Sequence, residues 1–266
     1  MGPGGAGGPS RSRGRADGPR IRLPAGQRLP RRLGSMCGRF QQQRPASELA
    51  RIFDAEDLTE APGPRFNIAP TSEASVVVQR DDRRAIARYR WGLIPPWSDD
   101  PRIASRTFNA RAETVATSPM FRDAFRKRRC LVPVDGFYEW RREGRERTPL
   151  TIYDPDGLPL ALAGLWTGRQ DPETGEWRRT FTVITTRPNE FMARIHSRMP
   201  VILGPDAWAL WLDPAPRDGS ELLALLEPSD GIVLDAYPVL PLVNSVRNEG
   251  PDLLLPADGE KRLLLP

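Results

Sequence analysis

The sequence predicts an α+β fold: a large mixed or antiparallel sheet arrangement, partly closed like a barrel and flanked by short helices. Short runs of β-branched and aromatic residues follow one another along the chain, and few long helical segments separate them. No internal repeat and no linker interrupts residues 36–266. We therefore expect this part of the chain to form one domain.

The predicted elements begin with a short amphipathic helix at 47–55, where Leu49, Ile52 and Phe53 recur at helical spacing. A loop rich in proline and glycine follows at 60–70. Further helices are predicted at 118–127, 206–212 and 220–226. The predicted strands lie at 76–79, 85–90, 130–134, 150–153, 160–166, 180–185, 201–203 and 232–237.

Composition excludes several classes of protein. One histidine and two cysteines cannot form a four-ligand Cys/His zinc site, and two cysteines make no disulfide framework. No run approaches the roughly 18 apolar residues of a membrane span, and no apolar segment follows the N-terminal charges as a secretory signal requires. We expect a soluble protein of a reducing compartment that uses no metal and no cofactor.

The first 35 residues differ from the rest of the chain. They hold eight arginines and one acid, so this head is net +7 and the remaining chain is net −2. Glycine, proline, alanine and arginine supply 25 of the 35 residues, which predicts disorder because almost nothing can be buried. Three interpretations of the head are open: it is a basic arm that contacts phosphates, a transit peptide, or a segment that is not part of the mature protein. We favour the last, with translation starting at Met36 or the head removed.

Cys37 follows Met36 directly. If Cys37 becomes the first residue, it carries a free α-amine and a thiol on adjacent carbons, with reference pKa values of about 7.7–8.0 and about 8.5. Such an aminothiol condenses with an aldehyde to an imine, and the sulfur then closes a five-membered thiazolidine. The alternative for a cysteine is a small buried apolar residue, and this is our interpretation of Cys130.

Three further polar residues are candidates for chemistry. Glu139 stands between Tyr138 and Trp140 at a predicted strand end, so we expect desolvation and a raised pKa suited to proton transfer; the alternative is an exposed acid. His196, the only histidine of the chain, is either catalytic or structural. Asn109 either fixes a substrate by two-sided hydrogen bonding or caps a turn.

Six motifs, in this order, together resemble one family. They are residues 36–40 (MCGRF), 66–71 (FNIAPT), 91–95 (WGLIP), 109–114 (NARAET), 135–140 (DGFYEW) and 195–200 (IHSRMP). Residues 243–244 and 248–250 are similar to its closing motif. The chain thus resembles the SOS response-associated peptidase (SRAP) family of abasic-site processing proteins over essentially all of 36–266. The head is the one departure, because family members place the cysteine directly after the initiator methionine.

The resemblance implies that the protein cross-links covalently to abasic sites in single-stranded DNA, through a thiazolidine at Cys37, and so shields the lesion from strand breakage. It implies that Glu139 is the general acid/base and also assists reversal. His196 would assist opening of the sugar ring, and Asn109 would hold the N-terminal residue and the sugar. Self-processing of the N-terminus is part of the same expectation.

The implied partner is single-stranded DNA containing abasic sites, and we expect a monomer with no membrane association, cytoplasmic and nucleoid-associated in a bacterial-type cell. Because the body is net −2, binding must use a local, salt-sensitive patch. Arg39, Arg111 and Arg198 suit phosphate contacts. Trp91 and Trp97 flank a Pro-Pro pair in a predicted exposed loop, where they suit base stacking unless they pack in the core. The predicted DNA contacts are Arg39, Asn67, Trp91, Trp97, Arg111 and Arg198.

Two other functions stay open at this point. A Cys–His peptidase would use Cys37 as nucleophile and His196 as base, and would tolerate an internal cysteine. A simple single-strand-binding module would rely on arginine and tryptophan, with no covalent step.

Overall fold

The computed structural model describes residues 1–2, 37–60, 63–171, 173–215, 219–228 and 231–259. The disorder predicted for residues 1–35 falls, beyond residue 2, outside these ranges. Within them the fold is α+β, with two sheets and short helices, and the predicted fold class is confirmed.

Most of the described chain is β-structure. The strands are Phe40–Gln42 (β1), Ala55–Asp57 (β2), Arg65–Ile68 (β3), Glu73–Arg80 (β4), Arg83–Trp91 (β5), Asn109–Arg111 (β6), Arg129–Val134 (β7), Gly136–Glu143 (β8), Glu146–Tyr153 (β9), Leu160–Gln170 (β10), Trp177–Thr186 (β11), Met199–Pro200 (β12) and Asp235–Pro238 (β13). The α-helices are Ala46–Phe53 (α1), Arg122–Lys127 (α2), Glu190–Ala193 (α3), Pro205–Leu212 (α4) and Gly219–Ala224 (α5).

Five strands of the larger sheet close into a barrel. Neighbours run β11–β10–β7–β4–β5, and β5 returns to β11 through a parallel pairing that sets Trp91 opposite Phe181. Successive side chains of a strand point to opposite faces, so one set fills the barrel and the other faces outward. Val76, Val132 and Phe181 belong to the interior set, and Cys130 lies there fully buried, as predicted.

The outward face of the barrel is covered by α1, α2, α4 and α5. Val77 and Leu131 of the barrel pack in one cluster with Phe53 of α1 and Trp211 of α4. Helix α1 buries one face at helical spacing and ends at Asp54, whose φ of 49° lies in the left-handed region. Burying each of these large side chains contributes about 1.5–3 kcal/mol, which explains why short helices persist here.

The second sheet has the order β13–β9–β8–β1–β3, and one of its faces packs in the same cluster as the barrel interior. The ring of Phe40 on β1 lies 4.7 Å from that of Trp91, centroid to centroid. This contact anchors the segment that begins at Cys37 between the barrel and the neighbouring strand β8.

Two predicted elements are corrected by the structure. The loop expected at 60–70 contains β3, which forms because Ile68 pairs with Phe40 on a strand far away in sequence. Residues 201–203, expected to form a strand, contribute only one isolated bridge, between Leu162 and Ile202, and the short strand β12 ends just before them. The predicted helices are confirmed, with ends shifted by a few residues.

Candidate active site

Cys37 and Glu139 meet where β1 and β8 pair. The two strands run antiparallel with Phe40 opposite Phe137, so the residues before Phe40 lie against those after Phe137. The backbone nitrogen of Cys37 donates a hydrogen bond of 2.5 Å to Oε1 of Glu139. Strand pairing thus joins two residues that are 102 positions apart in the sequence.

Glu139 lies inside β8 with 2% of its surface exposed. Burial raises the pKa of Glu139 to about 7. The rise is opposed by hydrogen bonds from two backbone N–H groups, those of Cys37 and Trp140, by a hydrogen bond from the Cys37 thiol, and by the positive charge of Arg147. A carboxyl group with a pKa near neutrality suits proton transfer at physiological pH. The predicted desolvation is confirmed, but the residue lies within a strand and not at its end.

The thiol of Cys37 is also buried, with 5% of the residue exposed. Burial raises the pKa of this thiol well above its usual value, and the negative charge and hydrogen bond of Glu139 raise it further. The sulfur is therefore protonated at neutral pH, and Glu139 is the carboxylate placed to accept its proton.

Asn109 contacts the same cysteine from the barrel side. Its Nδ2 donates a hydrogen bond of 3.3 Å to the carbonyl oxygen of Cys37. Asn109 begins β6, which pairs in parallel with β11 and sets Asn109 opposite Val183. The preceding carbonyl, of Phe108, accepts a 2.7 Å hydrogen bond from Nε1 of Trp91. The predicted residues Cys37, Asn109 and Glu139 are thus brought together.

His196 lies just after α3 and is half-buried. Its backbone N–H donates to the Met192 carbonyl at 2.8 Å, and its Nδ1 is 3.2 Å from the backbone nitrogen of Arg198. Burial lowers the pKa of His196, and the positive charges of Arg142 and Arg198 lower it further; the Arg198 carbonyl, 3.3 Å from Nδ1, opposes the shift because it would accept from a protonated Nδ1. Arg142 lies on β8, the strand that also carries Glu139, and its positive charge disfavours protonation of His196.

Asn67 is a correction to the predicted DNA contacts. It is 2% exposed; its Oδ1 accepts from Arg39 at 2.8 Å, and its Nδ2 donates to the carbonyls of Ser245 and Asn248 at 2.9 Å each. Both ends of the amide are therefore engaged inside the protein. Asn67 connects β3 to the closing motif and is not available to DNA.

Trp91 is a second correction. It is fully buried in the barrel core, and its ring is stacked 6.2 Å from that of Phe181, so it cannot stack on a base. Trp97, the other tryptophan predicted to stack on bases, is 60% exposed. Only Trp97 of this pair presents its ring to solvent.

The remaining predicted arginines have different surroundings. Arg111 is exposed at the end of β6. Arg39 is half-buried, and its Nη1 also donates to the Val243 carbonyl at 2.7 Å. The guanidinium of Arg198 binds both carboxylate oxygens of Glu113, and its side chain is 16% exposed. Their phosphate contacts stay predictions.

A groove of about 360 Å³ opens beside Cys37. It is lined by Gly38, Arg39, Trp140, Arg147 and Asn244. Nε1 of Trp140 donates to Oδ1 of Asn244 at 2.6 Å, and the Arg39 guanidinium lies 5.8 Å from the Trp140 ring centroid. The groove therefore combines an aromatic face with positive charge.

Arg142 and Arg147 are the functional candidates that the sequence analysis missed. They pair opposite each other on the β8–β9 hairpin, and both act on the charges of the site. The available signal was the cluster of arginines at 141, 142, 145 and 147, directly after the DGFYEW motif.

Within the described part of the chain, every helix falls short of the length and apolar character needed to cross a bilayer. The same residues bring no group of three or more His, Cys, Asp or Glu side chains into a position to hold a metal ion.

Comparison with known proteins gives consistent matches. The family model described as SOS response associated peptidase (SRAP) matches residues 36–246. Abasic site processing protein YoqW of Bacillus subtilis (strain 168) is 38% identical over 222 residues, 82% of this chain and 99% of its own. Abasic site processing protein YedK of Escherichia coli (strain K12) is 32% identical over 232 residues, 83% of this chain and 100% of its own.

A vertebrate relative and a solved structure match over similar lengths. Abasic site processing protein HMCES of Gallus gallus is 31% identical over 265 residues, 84% of this chain and 78% of its own. The X-ray crystal structure of a protein from Bacteroides thetaiotaomicron superimposes with a TM-score of 0.75 at 28% identity, and covers 83% of this chain and 100% of that one.

Proposed function

Because the chain belongs to the SOS response associated peptidase (SRAP) family, we propose that it recognises abasic sites in single-stranded DNA and traps them covalently through Cys37. Relatives at 31–38% identity carry the name abasic site processing protein, which supports the substrate. We take residues 36–266 as the domain that performs this reaction, as a cytoplasmic monomer associated with the nucleoid.

The observation that carries the proposal is the 2.5 Å hydrogen bond between the Cys37 nitrogen and the buried carboxyl of Glu139. The reaction begins when the α-amine of Cys37 attacks the open aldehyde of the abasic sugar, and loss of one water leaves an imine. The thiol then adds across the C=N bond; its sulfur bonds to carbon and its proton passes to nitrogen. Glu139, with a pKa of about 7, moves these protons.

The amine exists only if Cys37 is the first residue of the mature chain. The φ of Cys37 is 33°, a left-handed conformation that costs a non-glycine residue about 1–3 kcal/mol. An N-terminal residue has no preceding carbonyl and so no such penalty. Cleavage or translation that leaves Cys37 first therefore relieves strain as well as freeing the nucleophile.

Asn109 and His196 complete the proposed site. The Asn109 amide holds the Cys37 carbonyl, which orients the aminothiol. His196 assists opening of the sugar ring, because only the open form has an aldehyde. Once the aldehyde carbon is tied into a ring, the adjacent protons lose their acidity and strand cleavage by β-elimination is suppressed.

DNA binding is assigned to the surface around this site. Arg39, Arg111 and Arg198 are proposed phosphate contacts and Trp97 a stacking contact, and the groove beside Cys37 adds Arg147. The body of the chain is net −2, so binding through this patch is expected to weaken steeply with salt.

A denaturing gel tests the proposal. The protein produced from Met36 is incubated with single-stranded DNA that contains one abasic site, and we expect a heat-stable DNA–protein band that undamaged DNA does not give. Cys37→Ala and a glycine inserted before Cys37 should both abolish the band. Cys130→Ala, which changes the other cysteine, is the matched control and should retain it.

The same variants, tested on this gel and for peptide cleavage, separate the two rival functions. A Cys–His peptidase would still act with a glycine before Cys37 and would cleave peptides. A non-covalent binding module would give no heat-stable band with any DNA. Either result would overturn the proposal.

A further inference from the structure

The ring of His196 is held by the backbone of Arg198, two residues later. Nδ1 lies 3.2 Å from the Arg198 nitrogen and 3.3 Å from the Arg198 carbonyl oxygen. Nδ1 therefore faces the protein backbone, and Nε2, at the opposite side of the ring, is the nitrogen left for a ligand. Which nitrogen carries the proton decides whether that ligand meets a donor or an acceptor.

Backbone hydrogen bonding favours Nδ1 as the acceptor. If Nδ1 carried the proton, it would face the Arg198 N–H and leave that donor unpaired. Unpaired N–H groups are rarer in proteins than carbonyls with an unused lone pair. With Nδ1 accepting, the single proton of a neutral ring sits on Nε2. Burial and the charges of Arg142 and Arg198 favour the neutral ring and outweigh the Arg198 carbonyl, which would accept from a protonated Nδ1.

An ion pair and a hydrogen bond fix the side chain of Arg198. The Arg198 guanidinium binds both oxygens of Glu113, and its Nη2 donates to the carbonyl of Thr185 at 2.6 Å. Glu113 follows β6, and Thr185 belongs to β11, so Arg198 is tied to two elements of the barrel side. The Arg198 side chain is 16% exposed and the Glu113 side chain is 52% exposed, so only the arginine end of the pair is shielded from water.

We propose that the Glu113–Arg198 pair is a positioning device that holds His196 as the neutral Nε2–H tautomer, so that the imidazole offers a hydrogen-bond donor and not a base. This inference rests on the proposed function, in which an oxygen of the abasic sugar accepts the hydrogen bond from Nε2–H. Glu113 then acts on the reaction through Arg198 and His196.

Nitrogen NMR of the histidine ring tests this directly, because the chain contains one histidine and its signals need no assignment. The protein produced from Met36 is purified without a histidine tag, labelled with ¹⁵N-histidine and recorded at pH 7. We expect the pattern of an Nε2–H tautomer. An Nδ1–H tautomer or an imidazolium in the wild-type protein would overturn the proposal.

Two variants test the ion pair. Glu113→Gln should replace the single tautomer by a mixture and slow cross-linking about tenfold, less than the roughly 100-fold or more that a general acid–base group contributes. Glu190→Gln breaks the exposed Arg194–Glu190 pair on the helix before His196 and should change neither. If Glu113→Gln fails to fold, Glu113→Asp keeps the charge and should keep the Nε2–H tautomer. An unchanged tautomer in folded Glu113→Gln would contradict the role of the pair.

The tautomer and the cross-link are read separately. A wild-type protein with an Nε2–H histidine but no cross-link would refute the proposed function and leave the positioning device intact. A protein that cross-links but has an Nδ1–H histidine would refute the positioning device and leave the proposed function intact.

Discussion

The backbone nitrogen of Cys37 and Oε1 of Glu139 are joined by a 2.5 Å hydrogen bond across the β1–β8 pairing. When Cys37 is the first residue, the same nitrogen is the reactive amine, so the carboxyl group already contacts the nucleophile. Strand pairing fixes both partners, which means that the geometry needs no rearrangement of a flexible loop.

Glu139→Gln keeps the size of the side chain and removes its ability to exchange a proton. We expect cross-linking to abasic single-stranded DNA to slow by about 10²–10⁴-fold, measured as band formation over time on a denaturing gel. Glu143→Gln, an exposed acid at the far end of the same strand, is the control and should react at the wild-type rate. Equal rates for wild type and Glu139→Gln would exclude a proton-transfer role.

The raised pKa of Glu139 also predicts a pH dependence of stability. The folded state favours the protonated form because the pKa is about 7 in place of 4.5. The free energy of unfolding therefore falls as pH rises from about 4.5 through 7, when the buried group ionises. Urea unfolding of wild type and Glu139→Gln at pH 5 and pH 8 should show the wild type losing stability relative to the variant at pH 8. A constant difference would contradict this.

Much of the barrel could be predicted from the sequence because its strands are long and apolar. Val76 and Val132 mark their strands by side-chain type alone. Short strands such as β1 and β3 could not be predicted in this way, because Phe40 and Ile68 are stabilised by partners distant in sequence.

The candidate site was predicted from sequence motifs and corrected by geometry. The environment of Glu139 followed from its aromatic neighbours, since burial by Tyr138 and Trp140 needs no knowledge of topology. The DNA contacts predicted for Trp91 and Asn67 were wrong, because a motif does not reveal whether a side chain points into the core or out of it. Those directions depend on barrel closure and on the closing motif.

Trp91→Phe and Trp97→Phe should separate core packing from DNA contact. Trp91→Phe leaves the Phe108 carbonyl without its donor and opens a cavity, so we expect a loss of about 2–4 kcal/mol and slower cross-linking through displaced Asn109. Trp97→Phe should leave the unfolding free energy nearly unchanged, because Trp97 is 60% exposed. Both are measured by urea unfolding and by the cross-linking gel. Equal stability losses would contradict the buried assignment of Trp91.

The arginines around the site predict the salt dependence of DNA binding. Arg147→Gln and Arg111→Gln should each weaken binding to single-stranded DNA and lower the slope of log K against log salt concentration by about 0.7. Fluorescence anisotropy between low and moderate salt measures this slope. Arg83→Gln changes an exposed arginine at the β4–β5 turn and should leave it unchanged. A uniform effect of all three changes would point to net charge in place of a local patch.

Mass spectrometry of the cross-linked complex tests the central claim most directly. After nuclease and protease digestion, we expect one modified peptide that begins at Cys37 and carries the deoxyribose remnant with the loss of one water, as ring condensation requires. A modified peptide that retains residues before Cys37, or a sugar attached to any other residue, would contradict the account.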